Sequence, residues 1–276
     1  MSILEFLRPY KNFKRYDGEI GIEIETETKE PYDSPAMTFW HVKEDGSLRN
    51  FGREYILKQP VKYNKELDLC LDEFSVKTKS LKFLNTYTTS VHIHLNILNE
   101  SFKTMGNFLT LYALFENLLI RYSGEDRLSN LFCLPIVDAE ETYKNVINMF
   151  LNIEKKQYKS VFLTTSTVKY AALNLGAIGN YGSLEIRSFR GETDIKIIKT
   201  WVSLLYSMME YARKDHNPKD IMLSWKNKKL DLITEIFGKN AEHILYKDSL
   251  KLIEKDNVYY AAAIAYSIPK SWDLID

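Results

Sequence analysis

The sequence has little of several features that would place it in a protein class at once. It has only two cysteines, Cys70 and Cys133, and two cysteines do not form the disulfide framework of a small secreted protein. Each lies between apolar neighbours, so we expect buried free thiols. Lysine plus arginine equals aspartate plus glutamate, at 37 each. The chain as a whole therefore lacks the basic excess typical of nucleic-acid-binding proteins.

Long hydrophobic runs are also absent. A membrane-spanning helix needs about 20 mostly apolar residues, and the longest apolar segment, Met105 to Ile120, is interrupted by Asn107, Glu116 and Asn117. That segment predicts a buried amphipathic helix. The first residues carry no hydrophobic run of the kind found in a signal peptide. We expect a cytoplasmic protein without a membrane partner, in the host cytoplasm if the gene is viral, for example from a phage.

The chain contains no P-loop motif and no glycine-rich dinucleotide motif after a strand, so any nucleotide is bound by other means. Internal repeats, low-complexity tracts and Pro/Gly-rich linkers are missing too. These absences predict one domain over residues 1–276, with a motif-bearing core at about 19–201 and a helical part at 202–276.

The pattern of apolar residues predicts an α+β fold, because strands occur early and again near residue 184, with helices between and after them. We expect a mostly antiparallel sheet with helices packed on one face. The glycine-rich stretch Gly176–Gly182 is predicted to be a hairpin loop. Strands are predicted at Glu19–Glu27, Thr38–Val42, Glu54–Leu57, Ser90–Asn96, Lys169–Leu175 and Ser183–Arg190. Helices are predicted at about Lys65–Lys77, Ser101–Ser123, Ala139–Lys155 and Asp194–Arg213, with two or three more after Pro218.

The first predicted strand alternates isoleucine with acidic residues. Glu23 and Glu25 share the face opposite the isoleucines, roughly 6–7 Å apart. That spacing suits two neighbouring divalent cations, although a half-solvated strand with an acidic outer face has the same pattern. Glu27 continues the acidic face.

Two of the five histidines lie on one strand. His92 and His94 alternate with Val91, Ile93 and Leu95, so both imidazoles project from the polar face. Paired imidazoles on a strand are typical of metal or phosphate sites. A pair of surface histidines remains the alternative.

A third strand, Ser183–Arg190, places Glu185 and Arg187 on one face. A metal-binding carboxylate beside a phosphate-binding guanidinium fits this pair, and so does a plain ion pair. Carboxylates with one or two imidazoles favour Mg²⁺ or Mn²⁺ over zinc.

These motifs, taken in order, resemble the amidoligases, which are carboxylate–amine ligases related to glutamine synthetase and glutamate–cysteine ligase and frequent in phages and in microbial gene clusters. The residues that carry the resemblance lie between Glu19 and Trp201. They are Gly21-Ile-Glu-Ile-Glu25, Asp45-Gly-Ser-Leu48, Glu54, Ser90-Val-His-Ile-His-Leu-Asn96, Asn174 and Glu185-Ile-Arg187. The resemblance implies a glutamine-synthetase-like fold.

The resemblance also implies roles for these residues. Glu23 and Glu25 would begin two metal sites, with His92 and Glu185 on one metal and Glu54 on the other. Asp45 would either assist Glu54 or simply form the Asp-Gly turn, which we put first. His94 and Asn174 would contact the nucleotide, and Arg187, with Glu185, would act on the γ-phosphoryl group. Arg190 is a further candidate for the nucleotide or substrate, although alternation turns it away from Arg187 unless a bulge intervenes.

The implied reaction uses ATP and Mg²⁺ or Mn²⁺ to join a carboxylate to an amine through an acyl phosphate. The substrates could be small molecules, a protein side chain or a modified base. Arg127 and Lys169 are weaker candidates for a substrate-binding cation, with ordinary surface charge as the simpler reading of each. A two-metal phosphoesterase or nuclease would use similar residues, and a ligase-fold protein without catalytic activity is the third possibility.

Overall fold

A computed structural model describes most of the chain. It covers residues 2–9, 11–84, 86–124, 127–128, 130–131, 133–139, 144, 147–148, 170–245, 249–253 and 255–267. Across these ranges, none of the helices combines the length and the apolar character needed to cross a bilayer.

Seven strands form one sheet in the order β2-β3-β1-β5-β7-β6, with β4 paired to the end of β1. Every strand pair in the described part of the chain is antiparallel. The centre of the sheet is therefore β1 and β5, which lie side by side. The strands are β1 (Ile20–Thr28), β2 (Trp40–Glu44), β3 (Arg53–Leu57), β4 (Phe83–Leu84), β5 (Ser90–Asn96), β6 (Leu173–Asn174) and β7 (Ser183–Arg190).

Helices flank and follow the sheet. The long helix α3 begins after Ser101, whose hydroxyl accepts the backbone N–H of Thr104 at 3.0 Å, a typical N-cap. The helices are α1 (Ile3–Leu7), α2 (Lys65–Thr78), α3 (Phe102–Ser123), α4 (Gly176–Tyr181), α5 (Ile195–Ala212), α6 (Pro218–Asn227), α7 (Lys229–Phe237), α8 (Ala241–Ile244) and α9 (Lys255–Ser267), with 3₁₀ turns at Gly238–Asn240 and Ser249–Leu252.

The apolar face of the sheet packs against helices α3 and α5. Ile22, Ile93 and Ile186 follow one another across β1, β5 and β7, and each is almost fully buried. Phe189 on β7 stacks on Trp201 of α5, with ring centroids 4.8 Å apart. Burying each such side chain contributes about 1.5–3 kcal/mol. This core fixes which face of the central strands is left for polar residues.

The structure confirms the predicted α+β class and the mostly antiparallel sheet. Cys70 and Cys133 are both buried, as expected. The predicted hairpin loop Gly176–Gly182 is wrong in detail: β6 and β7 are antiparallel neighbours, but helix α4 lies between them and ends at Gly182, whose φ is 74°. Most of the predicted helix Ala139–Lys155 lies outside the described residues, and the single-domain assignment stays a prediction.

Candidate active site

The polar face of the sheet is built by strand alternation. On β1, Ile20, Ile22 and Ile24 point into the core, so Glu23 and Glu25 project from the opposite face. Antiparallel pairing then sets the neighbours, because Glu23 lies opposite His92 and Gly21 lies opposite His94. The predicted acidic and histidine strands are therefore adjacent in the sheet.

β7 completes this face on the other side of β5. Glu185 pairs with His94, and β6 adds Asn174 beside Glu185. The register shifts between Ile93 and Val91, so β7 contains one extra residue at Arg187–Ser188. This is a β-bulge, which re-aims side chains next to it.

Glu23, His94 and Glu185 form the first convergent group of ligand atoms. One atom from each lies within 4.8 Å of the others. Burial alone would raise the pKa of Glu23, but the contacts with His92 and His94 outweigh burial and hold that pKa well below its ordinary value. Burial likewise opposes ionisation of Glu185, but the positive charge of His92, Arg187 and His94 lowers its pKa. These two carboxylates therefore stay ionised, although Glu185 is buried and Glu23 is partly buried.

His94 has a ring nitrogen suited to a cation. Its Nδ1 hydrogen-bonds the Ser183 hydroxyl at 2.9 Å, which fixes the orientation of the ring. Its Nε2 is buried, lies 3.2 Å from Glu23 Oε1 and has no hydrogen bond to any described residue. Burial would lower the pKa of His94, but the Glu23 carboxylate outweighs it and raises that pKa.

His92 lies between Glu23 on β1 and Glu185 on β7, and both of its ring nitrogens have a polar partner. Nδ1 is 3.1 Å from Glu23 and 3.6 Å from Glu185, and Nε2 is 2.7 Å from the Ser90 hydroxyl. Ser90 in turn donates a short hydrogen bond to Glu25. The first convergent group thus contains His94, and His92, the predicted ligand, lies beside that group and links the polar residues of β1, β5 and β7.

Glu25, Asp45 and Glu54 form the second convergent group, again with one atom from each within 4.8 Å of the others. Glu54 lies opposite Glu25 on β3. Burial raises the pKa of Glu54 to about 7, helped by the charge of Glu23 and opposed by Lys43, whose ammonium lies 2.7 Å away. Asp45 also accepts the backbone N–H of Ser47 at 2.8 Å, so it forms the predicted turn and joins the acidic group as well.

Asn174 and Arg187 both contact Glu185. The Asn174 amide donates to Glu185 at 2.6 Å, and the Arg187 guanidinium forms a short ion pair with the same carboxylate. Arg187 Nε is buried and has no hydrogen-bond partner among the described residues. The structure therefore brings Arg187 to the first convergent group with donor capacity left over.

Two other predicted cations contact the protein itself. Arg190 donates to the carbonyl of Ser123, at the end of α3, at 3.0 Å and pairs with Glu192 at 3.1 Å. Although the bulge exists, it does not bring the Arg190 side chain to either convergent group. Arg127 is buried, not at the surface, and donates to the carbonyl of Arg187 at 2.9 Å, which supports the bulge. Lys169 lies outside the described residues.

A pocket of about 460 Å³ opens beside the first convergent group. Glu23 and His94 line it, and Glu23 is the only acidic lining residue in the described part of the chain. The sequence did not indicate this pocket, because its lining comes from several distant parts of the chain, and one of them, the segment before β1, has no recognisable motif. The cationic and aromatic lining residues are Lys11, Phe13, Lys14, Tyr16, His41, Lys43, Lys58 and Tyr181.

The donor set fits magnesium or manganese. Five carboxylates and one imidazole with an open nitrogen are mainly hard oxygen ligands, which these ions prefer, whereas zinc favours nitrogen and sulfur. Burial, and after it the charge of Glu23, raises the pKa of Glu54, and a bound cation would offset the repulsion between these two carboxylates.

Comparison with known proteins identifies the family of the chain. The family model described as "Putative amidoligase enzyme" matches residues 57–209. No curated protein matches the chain. The matched segment contains β5, β6 and β7, which carry the histidine pair and the Glu185–Arg187 pair, while β1 precedes it. Because the match covers more than half of the 276 residues, the chain belongs to the amidoligase family of ligases.

Proposed function

We propose that the protein is an ATP- and Mg²⁺-dependent carboxylate–amine ligase that forms an amide through an acyl phosphate. The observation that carries this proposal is the presence of two convergent ligand groups on one face of the sheet, with Arg187 beside the first. Such a pair of groups suits a reaction in which a triphosphate and a carboxylate, both anionic, must approach each other.

Glu23, His94 and Glu185 would hold one divalent ion, and Glu25, Asp45 and Glu54 the other. When bound, these ions neutralise the phosphate oxygens and polarise the transferred phosphoryl group. His92 orients the carboxylates of both groups through Glu23 and the Ser90–Glu25 contact. Asn174 fixes one oxygen of Glu185.

The pocket beside Glu23 and His94 is the proposed nucleotide site. Four lysines against one acid give its lining a positive field, which suits a triphosphate. Aromatic rings from Tyr16 and Tyr181 offer stacking surfaces for a base. Its volume lies within the usual range of small-molecule sites, about 300–1,000 Å³.

In the proposed reaction, the substrate carboxylate attacks the γ-phosphorus of ATP, and ADP leaves. The Arg187 guanidinium faces the negative charge that grows on the phosphoryl oxygens, so its benefit is largest in the transition state. The amine then attacks the acyl phosphate, the amide forms and phosphate leaves. The carboxylate and the amine could each belong to a small molecule, a protein side chain or a modified base.

Calorimetry with ATP tests the nucleotide and metal parts of the proposal. We expect ATP to bind in the presence of Mg²⁺ and not in EDTA. Replacing His94 with Gln should weaken the Mg²⁺-dependent binding, because it removes the open imidazole nitrogen. His243→Gln, which alters a partly exposed imidazole on α8, is the matched control and should bind as wild type does. Equal ATP affinity with Mg²⁺ and in EDTA would refute the two-metal proposal.

A further inference from the structure

Glu27 is a third glutamate on the polar face of β1, and it is fully buried. Its carboxylate accepts three hydrogen bonds. The backbone N–H of Arg49 donates to Oε1 at 2.8 Å, the Asn50 amide donates to Oε2 at 2.9 Å, and the Thr88 hydroxyl donates to Oε1 at 2.7 Å. Among the described residues, Glu27 belongs to neither convergent group of ligand atoms.

Two of these donors lie in the loop that carries Asp45. β2 and β3 form a hairpin, and residues 45–52 connect them. Hairpin loops of two to five residues are the rule, so an eight-residue loop needs further contacts to adopt one conformation. Asp45 lies at its start, whereas Arg49 and Asn50 lie near its end. The Glu27 carboxylate therefore anchors the C-terminal end of the 45–52 loop, whereas Asp45, the loop residue in the second convergent group, lies at the N-terminal end.

The backbone conformation of the 45–52 loop agrees with anchoring by Glu27. Asn50 has a φ of 55°, a left-handed conformation that only glycine and a few polar residues such as asparagine adopt readily. This conformation accompanies the hydrogen bond from the Asn50 side chain to Glu27. Gly52 packs tightly on Leu48, since a Cβ at residue 52 would lie 2.3 Å from the Leu48 Cβ. The loop is thus folded back onto β1, with Asp45 beside Glu25 and Glu54.

We propose that Glu27 is a positioning residue: it fixes the 45–52 loop so that Asp45 completes the second metal-binding group. This inference rests on the proposed function, because it assumes that the second group holds a cation. A carboxylate suits the role because it only accepts hydrogen bonds and all three neighbours donate. Glutamine at position 27 would turn an N–H₂ group toward at least one of those donors.

Titration of the metal-free protein with Mn²⁺ alone, followed by the electron paramagnetic resonance signal of free Mn²⁺, tests this proposal. We expect wild type to bind two ions. Glu27→Gln should weaken the second ion at least about tenfold and leave the first unchanged, as is typical for a residue that orients a metal ligand. Asp45→Asn should weaken the same ion. In the Asp45→Asn background, the Glu27→Gln effect should disappear, because Glu27 acts through Asp45.

Two further variants keep the test decisive. Asn50→Gly preserves the left-handed backbone but removes the amide donor, and should weaken the second ion even if Glu27→Gln does not fold. Glu192→Gln is the matched control, since Glu192 is a buried carboxylate that also accepts loop N–H groups, from Thr193 and Asp194, away from the second group. It should bind both ions as wild type does.

The outcomes separate this proposal from the proposed function. If wild type binds no second ion, the two-metal centre itself is wrong. If wild type binds two ions, and the folded Glu27→Gln and Asn50→Gly proteins bind both with unchanged affinity, the positioning role is overturned while the ligase proposal stands. Fully additive effects of Glu27→Gln and Asp45→Asn would overturn it as well, because they would indicate that Glu27 acts independently of Asp45.

Discussion

Glu185 and Glu116 are both buried, yet their pKa values shift in opposite directions. Burial raises the pKa of Glu116 to about 8, so this carboxyl is neutral over most of the physiological range. Burial acts on Glu185 in the same sense, but the positive charges of His92, Arg187 and His94 outweigh it and lower the pKa. The difference lies in the surroundings and not in the depth of burial.

The two glutamates lie on opposite sides of the sheet. Glu116 is on helix α3, where one oxygen accepts the backbone N–H of Ile136 at 2.7 Å. Glu185 is on the polar face, among imidazole, guanidinium and amide groups. A buried acid alone is therefore weak evidence of a catalytic site, whereas an ionised acid held by several cationic groups is much stronger evidence.

The largest expected effect comes from removing an ionised carboxylate on the polar face. Glu23→Gln keeps the shape of the side chain but removes its charge. Stabilisation by a metal ion is worth several kcal/mol, and each 1.36 kcal/mol is tenfold in rate, so ADP formation should fall roughly 10³-fold. Steady-state assays of ADP release measure this. Glu116→Gln is the matched buried control and should keep ADP formation within about twofold of wild type. Equal losses of ADP formation in Glu23→Gln and Glu116→Gln would contradict the distinction between glutamates of the polar face and buried glutamates elsewhere.

A smaller effect is expected at Arg187. Arg187→Lys keeps the charge but loses the planar fork of donors, so kcat for ADP formation should fall roughly 10²-fold, as when one key donor is removed. The KM for ATP should change much less. Arg190→Lys, on the same strand but bound to the end of α3, is the control. If it lowers kcat as much as Arg187→Lys does, the assignment of the phosphoryl contact to Arg187 is wrong.

The smallest effect on activity, and a clear effect on stability, is expected at Glu116. Its folded-state pKa is raised, so the folded state holds this proton more tightly than the unfolded state does. The stabilisation is full below the ordinary pKa of about 4.5 and is lost as the pH rises toward 8. Glu116→Gln removes this dependence, because glutamine stays neutral.

Urea denaturation of wild type and Glu116→Gln at pH 5.5 and pH 7.5 measures the difference. From pH 5.5 to pH 7.5, the free energy of unfolding of the variant should rise by roughly 2 kcal/mol relative to that of wild type. One proton contributes up to about 1.4 kcal/mol per pH unit. An unchanged difference would show that Glu116 is ionised in the folded protein.

The sequence was sufficient to predict the central strands, because alternation of apolar and polar residues is a local property. Ser90–Asn96 and Ser183–Arg190 have the predicted bounds, and β1, β2 and β3 differ from the prediction by one or two residues at their ends. The predicted strand Lys169–Leu175 was too long, because only Leu173–Asn174 forms a strand among its described residues. The shared polar face was also predicted, since Glu23, His92 and Glu185 were expected on one face and lie close together there.

What the sequence could not predict depends on contacts between distant segments. The different contacts of His92 and His94 depend on two hydroxyls, Ser90 on β5 beside His92 and Ser183 on β7 beside His94. Asp45 joins Glu25 only because its loop folds back onto β1. Arg190 follows a bulge that alternation cannot reveal, and its guanidinium then contacts α3.

An assay of ATP consumption tests most directly whether the polar face of this sheet activates a carboxylate with ATP, as proposed. Pure enzyme with Mg²⁺, ATP and pools of carboxylates and amines should release ADP only when a carboxylate is present. Hydroxylamine in place of the amine should trap the acyl phosphate as a hydroxamate, in an amount equal to the ADP formed. Absence of ATP consumption with every pool, together with phosphodiester cleavage in Mn²⁺, would contradict the ligase account and indicate a two-metal hydrolase.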